Sequence, residues 1–302
     1  MNNPNLTYRF LFWTFIPSYL LGTLYFLLVR ESASFAHSPY ALILLIVYMW
    51  IPASVVLFLS RHQLRKSLSR YGVRFNPNLH WLGAWLYPLA ITLLTIVICL
   101  LFGWGTLDLD LNAYLQNLSP QLNHDQLTSI RQALNQLGTT TYLLLLILQA
   151  FIAGATINAL AAFGEELGWR GLLYYQLRHM GFWKANLLIG LIWGLWHAPV
   201  IAAGYNFPQH PYSGIFLMTM ATVVLSPLIG HIRQRSGSVI AAAIFHGVFN
   251  AMANLSILLI ADISNLYRSP LGLAGIIGML MLIAVSYVLL GLGRSPTTPA
   301  QQ

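Results

Sequence analysis

Carboxylate, imidazole and amide side chains are concentrated in three short stretches of an otherwise apolar sequence. The stretches are FGEELGWRG at 163–171, LIWGLWHAPV at 191–200 and AAAIFHGVFN at 241–250. A carboxylate or an imidazole can act as a general base or relay a proton, and an amide can donate a hydrogen bond to developing negative charge. Charges in hydrocarbon cost at least a few kcal/mol each and rarely persist without a partner or a function. The stretches contain Glu165, Glu166, Arg170, His197, His246 and Asn250.

Helical spacing predicts how these side chains could pair. Glu166 and Arg170 are four residues apart on one helix face, so we expect an ion pair that satisfies the arginine. Glu165 is rotated by about 100° from that pair and is left to face a cavity. The pairs His246/Asn250 and Trp193/His197 share faces by the same rule.

The composition predicts that these helices cross a membrane. Of 302 residues, 57% are hydrophobic and 7% are charged, whereas about 25% are charged in an ordinary soluble domain. We therefore expect an all-α, polytopic membrane helix bundle of about eight spans, forming one domain over 1–302. The first span lacks a cleavage site for a signal peptide, and segment 107–140 is predicted to be an amphipathic surface helix. The predicted spans are 10–29, 40–60, 82–104, 142–164 and onward, 183–203, 214–231, 238–260 and 270–292.

The basic residues predict the orientation of the bundle. Because cytoplasmic loops retain positive charge, the side that collects most of the 15 Lys and Arg residues should face the cytoplasm, with both termini. The positive charge of this side would contact anionic lipid headgroups, and it gives little reason to expect nucleic-acid binding. This side holds Arg9, Arg61, Arg65, Lys66, Arg70, Arg74, Arg178, Lys184, Arg233, Arg235 and Arg294.

Counting residues from that side places the three stretches at a common depth. At 1.5 Å per residue, Glu165 and His197 each lie roughly 20 Å from the boundary, and His246 lies roughly 16 Å from it. We therefore expect the three helices to share one polar site, provided that Gly171, Gly181 and Pro199 do not break them.

At these residues the sequence resembles a known family. EELGWR matches a Glu-Glu-x-x-x-Arg motif, WGLWH is similar to an aromatic-x-x-x-His motif and HGVFN matches a His-x-x-x-Asn motif. Their order and spacing resemble the type II CAAX prenyl endopeptidase family, also called CPBP intramembrane proteases, over a catalytic core at about 150–255. One departure is Trp193, where many members have phenylalanine.

The resemblance implies an intramembrane endopeptidase and a role for each motif residue. Glu165 and His197 would activate a water that attacks the scissile carbonyl, and His246 and Asn250 would stabilise the oxyanion as neutral hydrogen-bond donors. Glu166, Arg170 and Trp193 would support them. We expect the cavity to open towards the cytoplasm.

Zinc is an open alternative, because Glu and His side chains are plausible ligands; Glu165, His197 and His246 would then hold the metal. We favour a metal-free mechanism. The His-Glu-x-x-His pairing of many zinc proteases is absent, asparagine is a poor zinc ligand and Glu166 is committed to arginine.

Two other function classes remain open from the residues alone. Buried Glu and His could relay protons in a proton-coupled transporter, although the inverted repeats of such proteins are not evident. A non-catalytic protein could use the cavity to bind a peptide or a lipid. For the enzyme, the resemblance implies a membrane-associated peptide or protein substrate, lipidated in CAAX-type processing and unlipidated in bacteriocin or peptide maturation. Short loops favour a bacterial inner membrane protein.

Overall fold

The chain forms a bundle of helices, as the composition predicted. The computed structural model describes residues 3–111, 113, 115–116 and 124–294. Short 3₁₀ turns at Ala33–His37, Arg61–Gln63 and Leu79–Leu82 join some of the helices. Helices α1 to α12 run over Pro4–Glu31, Pro39–Ser60, Leu64–Tyr71, Gly83–Leu101, His124–Leu137, Thr139–Met180, Phe182–Trp196, Ala198–Ala202, Pro211–Ser236, Val239–Leu259, Asn265–Arg268 and Leu273–Leu289.

Among the described residues, seven helices are long and apolar enough to cross a membrane. They correspond to seven of the predicted spans. The remaining prediction, 183–203, is the pair α7 and α8, which together reach from Phe182 to Ala202 but are interrupted at His197. The all-α, multi-pass membrane architecture with about eight spans is therefore confirmed.

Helix α6 is continuous but changes its winding next to the first motif. Its α-helical parts Thr139–Ala153 and Ala159–Glu166 are followed by π-helical turns at Gly154–Asn158 and Leu167–Leu173. Gly171 lies inside the second π turn and does not end the helix, which stops before Gly181. Wider turns of this kind are frequent at functional sites because they change the direction of the side chains around them.

Small residues let the motif-bearing helices approach closely. A Cβ atom at Gly190 of α7 would lie 2.6 Å from the Thr222 carbonyl oxygen of α9. A Cβ atom at Gly247 of α10 would clash with the Gly154 carbonyl oxygen of α6. Packing through small residues is typical of membrane helices, because they associate through close van der Waals contact without help from the hydrophobic effect.

Segment 107–140 is helical in the part that the structure describes. Helix α5 spans His124–Leu137, with Leu127, Ile130 and Leu134 partly buried while Arg131 is exposed. Positions 112, 114 and 117–123, including Leu122, lie outside the described residues. A short antiparallel strand pair, which the sequence did not predict, lies at the beginning of this segment. It joins Thr106–Leu107 (β1) to Ile260–Ala261 (β2). Amphipathic character at 124–137 is present, and its contact with a membrane surface stays a prediction.

The bundle has two chemically different ends. At one end, the Ser238 hydroxyl donates to the Arg74 carbonyl (2.6 Å) and the Arg233 guanidinium donates to the Tyr71 carbonyl (2.8 Å). We call this the arginine-rich end. The β1/β2 pair and the loop at 203–210 lie at the opposite end, which we call the strand end.

Candidate active site

The first motif forms a buried ion pair inside the bundle. Arg170 NH1 donates to Glu166 Oε1 over 2.9 Å, and both side chains are fully buried. The predicted i, i+4 pairing is thus present in the structure. Because Glu166 is occupied by this contact, the neighbouring Glu165 is the carboxylate that lines the cavity.

Trp193 connects Glu165 to the ion pair. Its indole N–H donates to Glu165 Oε2 over 2.6 Å, and the Arg170 guanidinium lies 4.4 Å from the centroid of its ring. A phenylalanine could provide the ring but not the N–H donor. The departure from the family pattern at this position therefore adds a hydrogen bond to the carboxylate, which the motif comparison did not reveal.

His197 presents one ring nitrogen to Glu165. Its Nδ1 lies 2.9 Å from the Trp193 carbonyl oxygen. Since a carbonyl only accepts hydrogen bonds, Nδ1 carries the proton. Its Nε2 lies 3.9 Å from Glu165 Oε2. In the neutral ring Nε2 is therefore an acceptor that faces the same space as the carboxylate.

His246 contacts the first motif, which spacing alone did not predict. Its Nδ1 lies 3.0 Å from Glu166 Oε1, the same oxygen that accepts from Arg170. A carboxylate paired with arginine accepts hydrogen bonds, so Nδ1 carries a proton here. If Nε2 also donates a hydrogen bond, the ring must carry both protons. A neutral ring, as expected from the sequence, would instead present Nε2 as an acceptor, so the role of His246 towards an oxyanion stays a prediction.

Asn250 lies one helical turn beyond His246 and lines the same cavity. Its side chain is exposed and makes no hydrogen bond with the described residues. Its amide N–H groups remain available to a ligand. The structure thus brings all the predicted residues together: four of them line the cavity with Trp193, and Glu166 and Arg170 lie behind them.

The cavity has a volume of about 180 Å³ and opens towards the strand end. Along α10, exposure rises from buried His246 to exposed Asn250 and Asn254. Residues 167–173, on the arginine-rich side of Glu165, are all buried. The charge-based orientation and the expected cytoplasmic opening are incompatible, because the arginines and the opening occupy opposite ends. The cavity wall also includes Tyr48, Trp196, Tyr205, Asn206, Met218, Thr222, Phe249 and Leu271.

Tyr48 and Tyr205 were not identified from the sequence. The Tyr48 hydroxyl donates to the Trp196 carbonyl oxygen, beside His197. Tyr205 follows α8 at the mouth of the cavity. Tyrosines are common at membrane boundaries, so their residue type alone did not separate these two from the interfacial aromatic residues.

The residues named for the zinc alternative do not form a metal-binding group among the described residues. Within the described part of the chain, no group of three or more His, Cys, Asp and Glu side chains could hold a metal ion. The hydrogen bonds agree with this, because His246 Nδ1 is paired with Glu166 and Glu165 Oε2 accepts from Trp193. The set Glu165, His197 and His246 therefore does not fit zinc in this arrangement.

Comparisons with known proteins agree with the three motifs. Residues 140–252 match the model of a family described as type II CAAX prenyl endopeptidase Rce1-like. A protein of Methanococcus maripaludis named CAAX prenyl protease 2 is 30% identical over 146 residues, which cover 46% of this chain and 50% of that protein. The chain thus spans about half the length of the curated relative that it matches. Over residues 140–252, which contain every motif residue of the cavity, the predicted resemblance to the type II CAAX prenyl endopeptidase family is confirmed.

Proposed function

We propose that this protein is an intramembrane endopeptidase that hydrolyses a peptide bond with a glutamate-activated water. The observation that carries the proposal is the cavity in which Glu165 Oε2 and His197 Nε2 lie 3.9 Å apart. A water can lie about 2.8 Å from both atoms at that separation. The carboxylate and the imidazole can then both accept hydrogen bonds from the same water.

In the proposed reaction, Glu165 accepts a proton from the water while the oxygen attacks the scissile carbonyl carbon. The carbonyl oxygen becomes an oxyanion, and its collapse breaks the C–N bond. The proton on Glu165 then passes to the leaving amine, so that the enzyme returns to its starting state. His197 Nε2 orients the water and stabilises its partial positive charge.

His246 and Asn250 are the proposed oxyanion donors. His246 carries two protons in this role, with Nδ1–H donating to Glu166 (3.0 Å) and Nε2–H donating to the oxyanion. Glu166 then accepts from both His246 and Arg170, and the trio carries one net positive charge beside the oxyanion. The contact with Glu166 holds His246 in place before the reaction, and a donor that is fixed in this way stabilises the developing negative charge.

A proton-coupled transporter and a non-catalytic binding protein are the alternatives. Both classes can contain buried Glu and His. Neither a transporter nor a binding protein requires a water-activating carboxylate and free amide donors in the same cavity. A variant that loses only the carboxylate charge separates the three classes.

We expect Glu165→Gln to remove peptidase activity by a factor of at least about 100, the usual range for loss of a general base. Glutamine can still accept the Trp193 hydrogen bond, so the variant should fold. The measurement compares protein and peptide termini in membranes that contain equal amounts of wild type or variant. Glu31→Gln, at an exposed acidic residue outside the cavity, is the matched control. Identical termini for wild type and Glu165→Gln would refute the peptidase, and a phenotype that survives would favour the binding protein.

We expect Asn250→Ala to lower kcat by about 10²- to 10³-fold with little change in KM, as for loss of an oxyanion donor. Asn254→Ala is the matched control, because Asn254 lines the same cavity one turn further towards its mouth. Steady-state kinetics on a peptide identified from the termini would check this. An equal loss in the two variants, or an effect on KM alone, would count against an oxyanion role.

Metal removal should leave the activity unchanged if the glutamate acts alone. We expect the purified full chain to retain its turnover after dialysis against a chelator and to contain well under one zinc per chain by elemental analysis. A magnesium-saturated chelator serves as the control for nonspecific effects. Activity that is lost on chelation and restored by zinc would instead assign a metal mechanism.

The proposed substrate is a membrane-associated peptide or protein segment. The Methanococcus relative is named a CAAX prenyl protease, and the family resemblance implies removal of a C-terminal tripeptide from a prenylated protein. Prenylated C-termini reside in the cytoplasm. If the arginine-rich end is cytoplasmic, however, the cavity opens on the opposite side of the membrane. Maturation of a peptide or cleavage of a membrane-protein segment then fits better, as do the short loops typical of a bacterial inner membrane protein. The orientation thus distinguishes the two substrate classes.

Cysteine labelling would determine the orientation. In a Cys99→Ala background, which removes the chain's one cysteine, we expect Ser69→Cys at the arginine-rich end to be protected from an impermeant thiol reagent in intact cells. Ser213→Cys at the strand end should react. Both serines are exposed, and permeabilised cells provide the control for accessibility. The reverse pattern would place the cavity towards the cytoplasm and favour tripeptide removal.

A further inference from the structure

A second cavity, remote from Glu165, lies at the arginine-rich end. It has a volume of about 420 Å³, and arginines from three separate segments line it. We call it the arginine pocket. Its wall consists of Arg70, Arg74, Tyr174, Tyr175, Arg178, Gly181, Phe182, Arg233, Gln234 and Gly237.

The positive charge of the pocket is not neutralised by the described residues. None of its four arginines forms an ion pair with any of the seven acidic side chains, all of which are described. Tyrosine rings contact the guanidinium groups instead: Arg178 lies 4.3 Å and Arg70 5.7 Å from the centroid of Tyr175. Stacking against rings holds the guanidinium planes while leaving their N–H donors available for an anion.

One arginine is fixed in place by the backbone. Arg233 is buried; its Nε donates to the Arg170 carbonyl (3.1 Å) and its NH2 to the Tyr71 carbonyl (2.8 Å). Two carbonyls orient the guanidinium without cancelling its charge. Gly181 and Phe182 in the pocket wall are the N-cap and the first residue of α7, so that the positive end of this helix adds to the positive potential of the pocket.

From these contacts we propose that the arginine pocket binds a phosphate group, supplied by the headgroup of an anionic glycerophospholipid. Arginines are suited to phosphate because their paired N–H groups match its oxygens. The pocket lies where α6 and α9 end, which is the depth of lipid headgroups for a bundle of this kind. Gln234 adds a buried oxygen without a partner among the described residues, an acceptor that fits a headgroup hydroxyl.

The proposal extends the function beyond catalysis and does not depend on the peptidase reaction. Arg233 joins the pocket to the backbone of Arg170, the residue that pairs with Glu166. A bound phosphate would therefore stabilise the end of the helix that carries the first motif. Binding can be measured whether or not the substrate is known.

The test uses the detergent-purified full chain and native mass spectrometry with three probes: short-chain phosphatidylglycerol, phosphatidylcholine of equal chain length, and inorganic phosphate. We expect saturable binding of phosphatidylglycerol that Arg70→Gln/Arg178→Gln weakens at least tenfold, because this variant removes two of the four guanidinium groups that line the pocket and can donate to a phosphate. The control Arg65→Gln/Lys66→Gln removes two exposed charges near the same end but outside the pocket. It should change the affinity by less than about threefold.

Each outcome bears on the pocket or on the source of the phosphate. Preference for phosphatidylglycerol over phosphatidylcholine, lost in the pocket variant, supports the lipid site. Saturable binding of inorganic phosphate, lost in the same variant but with no preference between the lipids, supports the phosphate site and overturns its lipid source. Equal loss in both double variants, or none in either, refutes the pocket. Both variants change exposed residues, so unaltered gel-filtration and thermal-melting profiles confirm that they are folded.

Discussion

The structure depends on one oxygen atom that accepts hydrogen bonds from two side chains in the interior of the bundle. Glu166 Oε1 accepts from Arg170 (2.9 Å) and from His246 (3.0 Å), and thereby joins α6 to α10. Buried charges are tolerated only when paired, and breaking such a pair typically costs about 3–5 kcal/mol because one charge is left without compensation. This network therefore fixes which helix faces meet. It also leaves Glu165 as the carboxylate that faces the cavity.

The backbone provides the geometry that this network requires. The π turn at Leu167–Leu173 follows Glu166 directly and contains Arg170. Close contacts at Gly190 and Gly247 bring α7 against α9 and α10 against α6, so that His197 and His246 reach the carboxylates. In a bilayer such contacts replace the hydrophobic effect as the source of association between helices. The small side chains are thus as necessary to the cavity as its polar ones.

The two ends of the bundle separate two kinds of chemistry. Polar groups that could activate water lie in a cavity open towards the strand end, whereas uncompensated arginines gather at the opposite end. The Arg233 to Arg170 contact connects them through the backbone of α6. In the proposed scheme, substrate and lipid headgroup therefore approach the same helix from different sides. The family resemblance covers the motif-bearing residues and carries no assignment for the arginine pocket.

The sequence by itself determined the membrane class, the approximate spans, the family resemblance and the residues that meet in the cavity. The length of an apolar run, a rare charge within it and an i, i+4 spacing are all visible in a short stretch of sequence. These features can therefore be recognised without knowledge of the tertiary structure. Only the tertiary structure decided that His246 pairs with Glu166, that the Trp193 indole binds Glu165 and that the cavity opens opposite the arginines. These contacts join residues between 28 and 80 positions apart. Helix rotation and tilt set them, and both follow from the packing of neighbouring helices.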